Sequence, residues 1–117
     1  MTRWPTRWLG FMVASILTIV YASDLTMGIQ KNFYPISMVE HCLGGMMVAL
    51  FIRSELEKGM MDMLAYAALI GFAWECWEMI PILAGKWGQM CWYEDTMMDM
   101  VCDIFGALIA AHIVKAE

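Results

Sequence analysis

The chain has 117 residues, of which 62% are hydrophobic and only 16% charged, with a net charge of −5 and a mean hydropathy of +0.61. A soluble domain this small needs more charge to cover its surface, so this composition excludes an ordinary water-solvated domain and points to lipid as the solvent. The acidic balance excludes a nucleic-acid partner, which requires a basic surface.

Four apolar stretches follow one another, each near the roughly 20 residues that cross a bilayer core. The first, Trp8 to Met27, is interrupted by Asp24. Its basic start (Arg3, Arg7) and the Val20-Tyr21-Ala22 run before Ser23 also fit a secretory signal, whose removal would leave three helices and an outside N-terminus. The second is Ile36 to Arg53, after a Lys31-to-Pro35 turn. The third is Met60 to Ala84, after a charged turn from Ser54 to Gly59. The fourth is Asp95 to Val114, after a loop whose Trp87, Trp92 and Tyr93 suit a membrane interface. The expected fold is all-α: one domain over residues 1–117, a polytopic four-transmembrane-helix bundle with helices at about 8–27, 36–53, 60–84 and 95–114. Arg3, Arg7, Arg53, Lys58 and Lys115 fall on one side, against Lys31 and Lys86 on the other. The positive-inside rule then puts both termini in the cytoplasm.

Cys42, Cys76, Cys91 and Cys102 form no C-x-x-C pair, which excludes zinc-ribbon and thioredoxin-like sites. Fourteen methionines read as flexible apolar filler rather than a soft-metal site.

The ionisable residues carry the functional signal. At 1.5 Å per residue, Glu78 and Glu75 lie roughly 9 and 14 Å below the outer end of the third helix. Asp99 and Asp103 lie roughly 6 and 12 Å below the outer start of the fourth, and His41 roughly 8 Å below that of the second. Three helices thus place ionisable groups at one depth. Glu75 and Glu78 share a face by i, i+3 spacing, and Asp95, Asp99 and Asp103 share another by steps of four. Each face continues into small residues: Ala67 and Gly71, Gly45 and Ala49, Gly106 and Ala110. Such seams let membrane helices approach closely. A lipid-facing charge costs about 3 kcal/mol on insertion scales, so the acids are expected inside the bundle. Asp95 also reads as the N-cap of its helix, Glu40 and Glu94 as solvated interfacial charges, and Pro81 as a bend that frees the carbonyl of Trp77. With no lysine or arginine at that depth, the buried carboxylates must take up protons, share them or bind a cation.

His41 with Gly44-Gly45, then Trp74-Glu75-Cys76-Trp77-Glu78, then Asp95-Thr96-Met97-Met98-Asp99-Met100 and Gly106-Ala107, resemble the YjdF-like family of uncharacterised bacterial inner-membrane proteins. The match covers roughly residues 36 to 110. Family members tend to be longer at the N-terminus, and Asp103 is an addition to the shared pattern. Arg53-Ser54-Glu55 resembles a family Arg-Glu and reads as a cytoplasmic turn. A likeness to VanZ-like membrane proteins is more distant. The resemblance implies a polytopic membrane protein and no settled activity.

Three functions fit these residues. In the first, His41, Glu75, Glu78, Asp99 and Asp103 hold a divalent metal, magnesium or manganese by their carboxylates or zinc with His41 included. Glu75, Glu78 and Asp99 then serve catalysis on a membrane lipid or lipid-linked headgroup, with Asp95 a neighbour. The second is a proton or divalent-cation pathway, which a homo-oligomer would have to complete. The third is a non-catalytic subunit or assembly factor of a membrane complex, its helices joined by polar contacts.

Overall fold

The computed structural model describes residues 3–29, 33, 35–83 and 92–117, with side chains at 80–83 and 92–95 left aside. Four helices run in chain order: α1 (Arg3–Met27), α2 (Pro35–Leu56), α3 (Met60–Leu83) and α4 (Trp92–Ile113). Three of the described segments, Arg3–Met27, Pro35–Leu56 and Thr96–Ile113, are long and apolar enough to cross a membrane. The longest dimension, 45 Å, is close to that of a bilayer with its headgroups, about 40–45 Å.

The helix limits correct the sequence reading at three ends. α1 starts at Arg3 rather than Trp8, because the helix extends past the apolar stretch to carry Arg7 toward α2. α2 continues to Leu56, so Arg53-Ser54-Glu55 is the last helical turn and not a loop. α4 starts at Trp92, which puts Asp95 inside the helix instead of at its cap. The helix dipole favours an acid in that first turn. α3 runs through Pro81 to Leu83 without a break in helical assignment. Lys31, Lys86, Trp87 and Cys91 lie outside the described residues, as do the side chains of Glu94 and Asp95.

The ends follow from local chemistry. Gly28, at φ 62°, ends α1 in the left-handed conformation, its N–H donating to the Asp24 carbonyl at 2.8 Å. Pro35 opens α2, where its missing N–H costs nothing. Lys115, at φ 55°, closes α4, with Ala116 N–H donating to the Ala111 carbonyl at 2.9 Å. The Met60 N–H donates to the Glu117 carbonyl at 2.8 Å, which sets the end of α4 against the start of α3.

α2 is the centre of the bundle. It packs against α1, α3 and α4, while α3 and α4 also pack on each other. Among the described residues, α1 packs its backbone on α2 alone. Its Thr6, Gly10 and Val13 face inward, Phe11 meets Phe51 edge-on at 5.3 Å, and Arg7 grips Glu55 through two hydrogen bonds of 2.6 and 2.8 Å. At the outer end, Tyr21 touches Trp74 of α3 with ring centroids 6.4 Å apart.

The α2 and α4 backbones cross in close contact. A Cβ on Gly45 would strike the backbone carbonyl of Asp103, and one on Gly106 would strike that of Cys42. The two contacts are reciprocal, as in parallel small-residue crossings. The expected seams are therefore present, with Ala49, Ala67 and Ala110 all buried. These residues join Leu50, Met63, Ala107, Ala111 and Val114 in an apolar core that fills the half of the bundle away from His41.

The surface of the described residues carries many large apolar side chains, as a membrane-spanning bundle would need. Trp8, Ile19, Leu25, Leu69, Trp77 and Phe105 are all exposed. The hydroxyls of Ser15, Thr18 and Thr26 donate to carbonyls one turn back at 2.8 to 2.9 Å, so no water is needed to satisfy them.

Candidate metal centre

One half of the bundle buries a polar group where the other half buries alanines. Glu75 of α3 is fully buried, and Asp99 and Asp103 of α4 are 1% and 4% exposed. They surround His41 of α2. His41 Nδ1 lies 3.1 Å from Asp103 Oδ1. Its Nε2 lies 3.2 Å from Asp99 Oδ2 and 3.8 Å from Glu75 Oε1. The Thr96 hydroxyl donates to Glu75 Oε2 at 3.2 Å.

Local sequence explains the convergence. Thr96, Asp99, Asp103, Gly106 and Ala110 step by three and four along one stripe of α4, all buried. Gly106 and Gly45 bring the α2 and α4 backbones together, so the His41 ring spans the gap between the Asp99 and Asp103 carboxylates. Gly71 of α3 leaves the space that Asp103 fills, since a Cβ there would strike Asp103 Oδ2.

One atom from each of His41, Glu75 and Asp99 lies within 4.8 Å of the other two. Ligands held at about 2.1 Å stand roughly 3.0 to 3.4 Å apart on one ion, by simple octahedral and tetrahedral geometry. The 3.2 Å separation of Nε2 and Asp99 Oδ2 lies in that range. Donors are scarce as well: Asp99 Oδ1 and Asp103 Oδ2 are buried with no hydrogen-bond partner. Three carboxyls against one imidazole leave a deficit of positive charge that protons or a cation must fill. His41, Glu75 and Asp99 thus form a group able to hold a metal ion.

The other sequence-predicted residues take different places. Asp103 faces Nδ1, on the far side of the imidazole from Glu75 and Asp99, where a carboxylate orients a ligand histidine rather than joining it. Glu78 stands one turn outward from Glu75, its Oε1 accepting a 2.8 Å hydrogen bond from Trp74 Nε1, and lies outside the three-residue group.

Two features escaped the sequence reading. Thr96 entered the sequence reading only as part of the Asp95-to-Met100 motif, although its spacing from Asp99 and Asp103 puts it on their stripe. Glu40, expected as a solvated charge, is half-buried with its Oε1 enclosed. Its side chain bonds that of Asp24 of α1, in a common field with Glu78. The apolar stretches on both sides of Asp24 hid this contact, because the sequence does not show which α1 face meets α2.

No family model, curated protein or solved structure matches this chain.

Proposed function

We propose that the chain is a four-crossing protein of the bacterial inner membrane, both termini cytoplasmic, that binds a divalent metal through His41, Glu75 and Asp99 and acts on a lipid or lipid-linked headgroup. The observation that carries this reading is the buried meeting of three ligand atoms from three different helices within 4.8 Å. A site assembled from three helices has ligands held by the whole packing rather than by one flexible segment. Its depth in the outer half suits a headgroup that dips just below the interface. The resemblance to YjdF-like proteins belongs to this proposal and rests on motif order alone.

In this reading, Asp103 accepts from His41 Nδ1–H. That leaves the Nε2 lone pair directed toward Glu75 and Asp99, where a cation reconciles three electron-rich atoms. The bound metal supplies Lewis acidity toward a phosphoryl or carbonyl oxygen. Thr96 fixes the Glu75 carboxylate by its hydrogen bond. Glu78, one turn nearer the surface, is the carboxylate placed to exchange a proton with substrate or water.

A second reading draws on the same distances. Both imidazole nitrogens have carboxylate oxygens near 3.1 Å, so an imidazolium bonded to Asp99 and Asp103 would join the helices with no metal at all. Transport by a single copy is disfavoured, because the apolar core from Ala49 to Val114 fills the bundle below the group.

Metal analysis decides between them. Protein purified from cells, without added chelator, is expected to carry close to one equivalent of a divalent metal, and Glu75→Gln and Asp99→Asn to carry far less. A folded wild-type protein that holds no metal, and takes up none of magnesium, manganese or zinc on dialysis, leaves the imidazolium reading in place. Turnover of labelled membrane lipids, lost in Glu75→Gln at equal expression, tests the enzymatic part.

A further inference from the structure

At the opposite end of the bundle from His41, the first turn of α1 meets the last turn of α2. Between them lies a cavity of about 260 Å³ lined by Arg3, Thr6, Arg53 and Glu57. It is a polar hollow in a protein whose remaining surface is mostly apolar, and it has room for several water molecules or a phosphate group.

The chemistry of the lining is specific. Arg53 is anchored, its Nη1 donating to the Lys58 carbonyl at 2.9 Å. That bond uses one of the five N–H groups of the guanidinium and fixes the plane of the others. Glu55, the nearest carboxylate on α2, is clasped by Arg7 and stands 3.5 Å from Arg3 Nη2. Arg3 and Arg7 thus bring two positive charges to the single carboxylate of Glu55, so a net positive charge remains beside the cavity. Thr6, fully buried, forms the floor, and the start of α1 adds the positive end of its helix dipole. Glu57 is the one carboxylate in the lining, held at the left-handed φ of 54°.

We propose that this cavity binds the headgroup of a membrane glycerophospholipid, with the phosphodiester on Arg3 and Arg53 and the donor-bearing end of the headgroup at Glu57. Basic hollows between membrane helices on the cytoplasmic side are suited to anionic headgroups, and two guanidinium groups match phosphate oxygens in charge and geometry. Glu57 adds selectivity: it accepts from an ammonium or a hydroxyl, whereas a quaternary ammonium has no N–H to give. The proposal rests on the membrane-spanning reading of the chain and is independent of a metal at His41.

The test is native mass spectrometry of the full-length protein in detergent, with equimolar phosphatidylethanolamine, phosphatidylglycerol and phosphatidylcholine. Ethanolamine and glycerol lipids are expected to stay bound after activation that strips phosphatidylcholine. Arg3→Gln and Arg53→Gln should each lower that retention by about tenfold, as expected for loss of a charge-assisted contact worth roughly 1.4 kcal/mol. Arg53→Lys keeps the charge without the fork and should fall between. Equal retention of all three lipids, or undiminished retention in the Arg3→Gln, Arg53→Gln double variant, overturns the proposal. So does a thermal shift caused by inorganic phosphate with no lipid retained, which would assign the cavity to a soluble anion. Arg3 lies at a half-exposed surface position, so its variant reports on binding even if Arg53→Gln fails to fold. Metal content should not change in any of these variants.

Discussion

Gly45→Ala is the sharpest perturbation of the assembly that makes the site. A Cβ at Gly45 falls inside contact distance of the Asp103 carbonyl, its carbon and its Cα, all backbone atoms that cannot rotate away. The α2 and α4 backbones must separate to admit it. Overpacking of this kind costs about 1–3 kcal/mol. Alanine also gains roughly 1 kcal/mol over glycine in a helix, so the raw change understates the clash. Gly44 supplies the internal reference: it is the preceding residue of the same helix, and a Cβ there meets nothing within 4 Å. Gly44→Ala takes the same propensity gain with no clash. The difference between the two variants should therefore be about 1–3 kcal/mol, with Gly45→Ala the less stable. The same separation moves Asp103, whose carboxylate lies 3.1 Å from His41, so bound metal should fall as well. Both variants can be unfolded in detergent by SDS titration, with helicity followed by circular dichroism and metal measured on the folded fraction. Equal stability of Gly44→Ala and Gly45→Ala would refute the argument, because α2 and α4 could not then be touching at Gly45.

Four further expectations concern the centre itself. Gly71→Ala pushes on Asp103 Oδ2 from α3 and should weaken metal binding with little loss of helicity, read by metal titration. Asp103→Asn removes the carboxylate from His41 Nδ1 and should weaken affinity about 10- to 100-fold rather than abolish it; complete loss would make Asp103 a direct ligand. Glu78→Gln should leave metal stoichiometry unchanged while lowering any lipid turnover, so a loss of metal would move Glu78 into the ligand set. Acidification should release the metal, since protons compete for the carboxylates and imidazole that bind it. The sign is therefore weaker binding at lower pH, and affinity that rises as pH falls would contradict the ligand set.

Much of this arrangement was legible in the sequence because lipid restricts the options. Ionisable groups at matching depth on Ile36–Arg53, Met60–Ala84 and the last stretch were expected to meet one another, since a lipid-facing charge is costly. Gly45, Gly71 and Gly106 at four-residue spacings from polar or small partners marked the faces that would touch. Rotational detail was less accessible. Steps of four along Asp95, Asp99 and Asp103 drift around a helix of 3.6 residues per turn, and Thr96, three residues before Asp99, shares the buried stripe. The two sides of an imidazole are also invisible to spacing, so nothing in the sequence showed that Asp103 and Asp99 face different ring nitrogens. The Glu40–Asp24 contact depends on where α1 rests, and α1 carries apolar residues around its whole circumference. No periodicity singled out the face bearing Thr6, Gly10 and Val13.

The reciprocal glycine crossing has a consequence for biogenesis. The chain folds into two antiparallel hairpins, α1–α2 and α3–α4, and the polar group is divided between them: His41 in the first, Glu75, Asp99 and Asp103 in the second. If the chain spans a membrane, two-stage folding would have the helices insert before they dock. The contacts of Gly45 with α4 and of Gly106 with α2 would then form together with the centre. On that reading, acquiring the site and completing the fold would be one step.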